Sequence, residues 1–487
     1  MKNMSLKFDL SKSIKMTFRK KKFRYGGYAT LVTAVVITML ILFNLVIDQI
    51  DFTLDLTRNR LFSLSEQTFG VVDGLEQEID IISLNEPGDE NPVAIQIIEQ
   101  YTARSRYINF STIDPVRHPH LVMRYQEDGR TLSQGSIIVE NRDLNRFKVI
   151  SAHELINFRF DQQQQPIAES LAVEQRLTGA IIYVTTEELP VIYVLTGHDQ
   201  APIPFEIREQ MELENFRIEE INLMTTESVP DDAHALLVIS PRRDLTETEE
   251  QRLREYLERQ GRTIFLMDIM PQSLPRFEAI FRSYGVELNR AIVVEGDTAM
   301  HVGNPLYLVP DMATHDIMTP LRTADMRMLI PFSQAIDIMD VRRRTLNIEP
   351  LLVTSESAWG KTNLESQTME KEDGDIEGPF NIGVAVTDEV FVDNQTKTTK
   401  LILLANAGFL NSEISSQVPG NANFLLNSLN WIQDREEAIS IRPRSLATPR
   451  LNMNWQQQMM LAGVAVILIP LLILCSGLFV WMKRRHL

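Results

Sequence analysis

With 487 residues the chain is longer than a single hydrophobic core supports, so two or three domains are predicted. Hydrophobic residues make up 44% and charged residues 23%, as in ordinary globular protein, but the charge is sharply segregated. Residues 1–27 hold nine Lys and Arg against one acid, and the last thirty hold three basic groups and no acid. Removing these from the totals of 48 and 65 leaves 36 basic and 64 acidic groups, a net of −28, which argues against a nucleic-acid partner.

The basic ends flank two apolar runs. Tyr28–Ile47 contains one amide, Asn44, and no charge; Met459–Trp481 has no charge and is interrupted by Pro470. Each is long enough to cross a hydrocarbon core of about 30 Å as a helix. The first leads straight into Asp48 with no small-residue cleavage site, so an uncleaved anchor is predicted rather than a signal peptide. Basic tails at both ends place both termini in the cytoplasm, with two spans in the cell (inner or plasma) membrane and the acidic body outside. The single cysteine, Cys475, lies in the second run, so the exported body has neither a disulfide nor a thiol nucleophile.

After the first run, Asp55–Thr68 (D-L-T-R-N-R-L-F-S-L-S-E-Q-T) offers Ser63-x-x-Glu66, or Ser65 itself, as the cap of a short helix running towards Gly74. The next predicted elements are a strand at Glu78–Leu84, a helix at Ala94–Ala103 and a strand at Tyr107–Asp114. A hairpin of Gly135–Glu140 with Arg146–Ile150 follows, then a long closing helix, Ile167–Tyr183. The order β-α-β, then β-β-α, is that of a thioredoxin-like domain. It lacks the cysteine pair of an oxidoreductase, which excludes a redox role. Gln162–Gln165, before Pro166, reads as a polar loop.

The middle of the chain is its best-defined part. Val191–His198 (V-I-Y-V-L-T-G-H), Ala235–Pro241 (A-L-L-V-I-S-P) and Thr263–Asp268 (T-I-F-L-M-D) are continuous apolar runs, the pattern of strands buried on both faces. Between the last two, Thr246-x-x-Glu249 is a capping box, Leu253, Tyr256 and Leu257 share a face, and Gly261 is expected to take the left-handed position that ends the helix. Alternating strands and helices predict a parallel sheet in an α/β core. The short link from Arg217–Ile221 to Ala235 leaves the strand order there open, because a parallel crossover usually needs a dozen residues or more. A helix and strand over Phe277–Val294 continue the sheet, and residues 296–348 are expected to be loops and short helices. Pro350–Ser355, Ile382–Thr387 and Lys400–Ala405 add strands, Glu365–Gly378 a mobile acidic loop, and Asn423–Gln433 the last body helix.

Few motifs carry chemistry. Gly360-Lys361-Thr362 resembles the end of a phosphate-binding loop but lacks its first glycine and the apolar helix that should follow. His118, His120, His301 and His315 have no carboxylate or cysteine at ligand spacing, His153-Glu154 lacks a second histidine, and no Gly-x-Ser-x-Gly elbow occurs. No catalytic, cofactor or metal residue is therefore assigned. The best-placed polar cluster is Gly197, His198, Asp199 and Gln200, at the carboxyl end of the first central strand, where open α/β sheets bind ligands. It is the candidate ligand or partner loop, weighed against a hydrogen-bonded turn.

In order along the chain, D-L-T-x-x-x-L-F-S-L-S-x-x-T, V-I-Y-V-L-T-G-H, V-P-D-D-A-H-A-L-L-V-I-S-P (Val229–Pro241), G-P-F-N-I (Gly378–Ile382) and N-F-L-L-N-x-x-N-W (Asn423–Trp431) lie between two apolar runs. This series resembles the auxiliary subunits of ABC-type transport systems of the gliding-motility, GldG-like type. Where members typically read Gly-His-Gly-Glu, this chain has Gly197-His198-Asp199-Gln200, which removes a carboxylate from the loop. The resemblance implies an exported domain similar to glutamine-amidotransferase folds, non-catalytic because the nucleophilic cysteine is missing, beside an ABC permease and a cytoplasmic ATPase. The expected fold class is thus α/β, a thioredoxin-like domain and then a doubly wound amidotransferase-like one, flanked by transmembrane helices. The expected divisions are 1–27 (tail), 28–47 (span), 48–187 and 188–440 (the two extracytoplasmic domains), 441–458 (linker), 459–482 (span) and 483–487 (tail). The lipid bilayer is a partner, and a homodimer stays open. So do a stand-alone cell-envelope binding or sensing protein and, further off, a membrane-anchored hydrolase.

Overall fold

The computed structural model describes residues 21–48, 61, 63–86, 88–126, 132–160, 165–364, 366, 368–392, 395–435, 444–446 and 455–485. Residues 1–20, the Asp55–Arg60 half of the D-L-T motif, most of the Gln162–Gln165 run and most of the 441–458 linker lie outside them. The chain forms two units, Met1–Arg60 and Leu61–Leu487. In the first, a helix (α1) runs Lys21–Asp48, with a shorter apolar portion at Leu31–Phe43.

In the second unit, α2 (Glu66–Asp73) is capped by Ser65, whose hydroxyl accepts from the Thr68 amide. There follow β1 (Ile79–Leu84), α3 (Pro92–Arg104, capped by Asn91), β2 (Ile108–Ile113), β3 (Ile137–Asn141) and β4 (Arg146–Ile150). They make a four-stranded sheet of order β2-β1-β3-β4, with β1 and β2 parallel and the rest antiparallel. The expected helix over Ile167–Tyr183 is corrected. Pro166–Leu171 is a strand (β6) paired antiparallel with β5 (Ile156–Phe160), and the helix, α4, runs only Val173–Thr185. A proline supplies no ladder donor but is tolerated at a strand's first residue, and α4 can begin only where β6 ends. Helices α2, α3 and α4 are tied by a buried network. Tyr101 Oη is 2.6 Å from Thr178 Oγ1, and Glu174 accepts from the Thr68 hydroxyl and the Ser65 amide.

A twelve-stranded mixed sheet dominates the rest. Its parallel half comprises β7 (Val191–Leu195), β8 (Arg217–Ile221), β9 (Ala233–Ile239) and β10 (Arg262–Leu266), with β17 (Gln395–Leu404) alongside β10. Strand β8 lies outside β7, so residues 222–232 carry the chain past β7 to β9 on its other side, which settles the strand order. The other half is antiparallel: β11 (Val286–Val294), β12 (Gln334–Ile338), β13 (Leu346–Val353), β14 (Trp359–Lys361), β15 (Ile376–Glu377) and β16 (Asn381–Val392). Residues 296–348 therefore differ from expectation, since they include β12, in the body of this sheet, and the short strand Asn304–Leu308.

Both faces of the parallel half are covered, which explains its uninterrupted apolar runs. Ile192, Leu237, Ile264 and Ile402 pack with α5 (Phe205–Leu213) and α8 (Pro419–Ile432) through Ile207, Met211, Phe424 and Leu429. On the opposite face Leu236, Val238, Phe265 and Leu403 pack with α6 (Glu247–Glu258) and α7 (Pro275–Ser283) through Leu253, Leu257, Phe277 and Phe281. The α6 capping box is present as predicted, with Thr246 Oγ1 accepting from the Glu249 amide and Glu249 accepting from the Thr246 amide. The left-handed residue at its end is Gln260 (φ 69°), one before Gly261. Gly261 is needed for closeness instead, because a Cβ there would stand 2.5 Å from the Tyr256 carbonyl oxygen.

A helix follows from Trp455 to Arg485, with a π-helical turn at Val464–Leu468 that ends one residue short of Pro470. Proline cannot donate to the preceding turn, and a widened turn accommodates the lost bond. Met459–Met482 is, among the described residues, the one helix long and apolar enough to cross a membrane; its mean hydropathy is 2.7 and none of it is buried.

Helix α8 lies close to the backbone near Arg327, where a Cβ on Gly420 would overlap the Arg327 carbonyl oxygen. Gly420→Ala should therefore destabilise the body by about 1–3 kcal/mol, read as a lower denaturation midpoint with an unchanged denaturant slope.

Candidate functional site

The Gly197–Gln200 loop begins where β7 ends. Gly197 has φ +100°, and Asn222 lies against it so closely that a Cβ would be 3.0 Å from the amide nitrogen, so both conformation and space exclude a side chain. The His198 amide donates to Gln200 Oε1 (3.0 Å), and its carbonyl accepts from the Arg242 and Arg243 amides (2.9 and 3.1 Å). These bonds turn the imidazole inward, and the residue is only 3% exposed. Its ring meets Phe277 edge-on at 6.1 Å, and Nε2 lies 3.3 Å from Oε1 of the buried Glu249. The other Glu249 oxygen accepts from the amide and hydroxyl of Thr246. The histidine of the loop and the capping box of α6 thus form one buried assembly. What the loop presents to solvent is Asp199, held by Arg243 Nη2 at 2.8 Å, both more than half exposed.

The neighbouring strand ends carry polar groups that sequence reasoning passed over. Ser240, after β9, has φ +43° and donates its hydroxyl to Asp268 Oδ2 (2.6 Å). Asp268, after β10, accepts through Oδ1 from the Ala407 and Gly408 amides beyond β17 (2.7 and 3.3 Å). One carboxylate therefore ties three parallel strands at their carboxyl ends. The signal was its position at the end of T-I-F-L-M-D. The adjoining cavity, lined by Met267, Asp268, Gln272 and Gln334 among others, has about 20 Å³, room for a single water.

A larger cavity of about 580 Å³ is lined by Arg254, Arg282, Arg342, Arg343 and Tyr284. Three of these arginines are already paired: Arg254 with Glu250, Arg282 with Glu278 and Glu287, and Arg343 with the buried Asp388. Gly360-Lys361 is part of β14 and not a phosphate loop. Lys361 is 5% exposed, donates to the Glu370 carbonyl, and pairs with Glu372 and Asp375 (3.1 and 3.7 Å). The acidic segment expected to be a mobile loop is pinned by this lysine and by β15, although residues 365 and 367 lie outside the described set.

The other histidines stay apart, save for the T-shaped pair His118 and His120 with ring centroids 6.1 Å apart. No group of three His, Cys, Asp or Glu among the described residues could hold a metal. His315 is buried, with Nδ1 accepting from the Ile317 amide and the ring against Trp431 at 5.1 Å. Burial lowers its pKa from 6.5, opposed by Glu349 and Asp316 and assisted by Lys400.

The molecule is therefore a mixed α/β protein with a large, partly parallel sheet and, among the described residues, one membrane-length apolar helix. Residues 189–428 match the model of a family described as an ABC-type uncharacterized transport system. That match lies over the central sheet and covers just under half of the chain. No curated protein matches the chain. Among solved structures, the mmIFT52 N-terminal domain is 13% identical, with a TM-score of 0.37, covering 50% of this chain and 97% of that one. PurLQS from Thermotoga maritima is 9% identical, with a TM-score of 0.25, covering 50% and 100%. Likenesses this distant carry no argument.

Two predictions follow from the histidines. Removing His198 opens a cavity at Glu249, so His198→Ala should lower body stability by about 1–3 kcal/mol in chemical denaturation. His315 is held neutral in the fold while the unfolded chain binds a proton near pH 6.5. Its contribution is therefore complete above that pH and is lost as pH falls below it. His315→Asn keeps an acceptor for Ile317 and should flatten the decline in stability between about pH 6.5 and 5, measured as unfolding midpoints across that range.

Proposed function

We propose that this chain is a non-catalytic, membrane-anchored, extracytoplasmic auxiliary subunit of an ABC-type transport system, assembling with a permease and, through it, a cytoplasmic ATPase. The observation that carries the reading is the family match over residues 189–428, joined to the membrane-length helix Met459–Met482. In this reading α1 is the second anchor, both termini are cytoplasmic, and the acidic body stands outside. The body comprises a thioredoxin-like domain (48–187) and an amidotransferase-like domain (188–440). The same reading makes Gly197–Gln200 a partner contact, made through the exposed Asp199–Arg243 pair while His198 supports it from within. Gly463, Ala465, Ser476 and Gly477 are small residues through which a neighbouring transmembrane helix can approach closely.

Affinity capture of the full chain in mild detergent, read by mass spectrometry, should recover an ABC permease. Recovery of the chain alone, from membranes that contain the permease, would favour a stand-alone envelope protein. Reporter fusions after residue 60 and near residue 440 should score external, and those at the two ends cytoplasmic. A cytoplasmic signal from mid-chain would overturn the topology.

A further inference from the structure

A cavity of about 440 Å³ lies among the β5–β6 hairpin, α4, α5 and α8. Its polar lining includes Asn157, Gln175, Arg176, Gln210, Glu214 and Asn423, with Leu213, Met326 and Leu426 as apolar wall. Arg176 is the anomaly. Its Nε is buried without a hydrogen-bond partner, and burial lowers its pKa against the opposing charges of Glu154, Glu214 and Glu209. Arg435, whose charge acts on the same Glu214, likewise has a buried Nη1 without a partner and sits over the Phe216 ring at 5.6 Å. Glu214 does not complete either arginine. It accepts from Gln175 Nε2 at 2.9 Å, and burial raises its pKa, favouring the neutral acid.

A guanidinium nitrogen buried without a partner is costly, and buried polar groups in native proteins are otherwise almost always satisfied. Cavities that join a few convergent polar groups to an apolar wall, with perturbed ionisable residues beside them, are the usual form of small-molecule sites. We infer that this cavity binds a small solute carrying a carboxylate, whose oxygens pair with Arg176 while Glu214 and the amides of Gln175, Gln210 and Asn423 hold its polar body. A carboxylate fits better than a phosphate. One negative charge balances one guanidinium, whereas a dianion would also face the Glu169 carboxylate. No transport partner is involved, so the site stands or falls separately from the auxiliary-subunit reading.

The test compares N-acetylalanine with its neutral amide, N-acetylalaninamide, on the full chain in uncharged detergent. The acid should raise the thermal unfolding midpoint by a few degrees at millimolar concentration, and the amide should not. Arg176→Met should abolish the response and, without any probe, unfold at a higher temperature than wild type, because an apolar side chain replaces a partly buried cation whose Nε has no partner. Ser416→Trp, at the exposed rim, should block the response with Arg176 still in place. Equal responses to acid and amide, no response of the wild type, or an undiminished response in either variant would overturn the site. A lower midpoint for Arg176→Met without probe would overturn it too, by assigning Arg176 a structural role.

Discussion

The constraint on which the body depends is that its parallel strands are buried on both faces. Such a strand can present no charged side chain to either side, and β7, β9 and β10 accordingly alternate between two apolar clusters with no solvent face. Ala235, Leu237 and Ile239 point one way, towards α5 and α8; Leu236 and Val238 point the other, towards α6 and α7. Polar side-chain bonding between these strands gathers at their carboxyl ends. There Asp268 ties Ser240 to the amides after β17, and the Gly197–Gln200 turn closes β7 over the capped start of α6.

This explains which parts were legible in the sequence. Runs such as A-L-L-V-I-S-P admit one environment, so β7, β9 and β10 and the capped helix between the last two appear where the pattern put them. Pro166–Leu171 failed because a six-residue strand and the first turns of a helix are alike in composition. What decides it is pairing with β5, which single-sequence periodicity does not contain. Gln334–Ile338 was missed for the same reason, since β12 is held by neighbours from β11 and β16 that are distant in sequence. Gly261 was located correctly but for the wrong reason: proximity to Tyr256 demands it, while Gln260 takes the left-handed turn.

The candidate loop shows a second limit. Its placement at the carboxyl end of a central strand was legible, but the direction of the His198 side chain was not. Direction follows from the bonds at Gln200, Arg242 and Arg243, which aim the imidazole at Glu249. A residue type that suggests chemistry was thereby committed to supporting α6. Lys361 went the same way, since a lysine in a glycine-containing loop and a lysine buried against Glu372 and Asp375 share one local sequence.

The strand ends are filled by the protein's own side chains, leaving room for about one water beside Asp268. The rule that open α/β sheets bind ligands beyond their carboxyl ends presumes an unfilled crevice at that edge. Here the crevice is closed, and the cavity lined by Arg176 lies instead where the β5–β6 hairpin and α4 meet α5 and α8. Such a junction is a natural place for a binding site, because two independently packed layers rarely mate without a gap. The energetic logic also runs in one direction. Asp268 has its donors supplied from within and leaves nothing there for a ligand to satisfy. Arg176 Nε has no acceptor, and it is the one such atom whose side chain lines this cavity among the described residues.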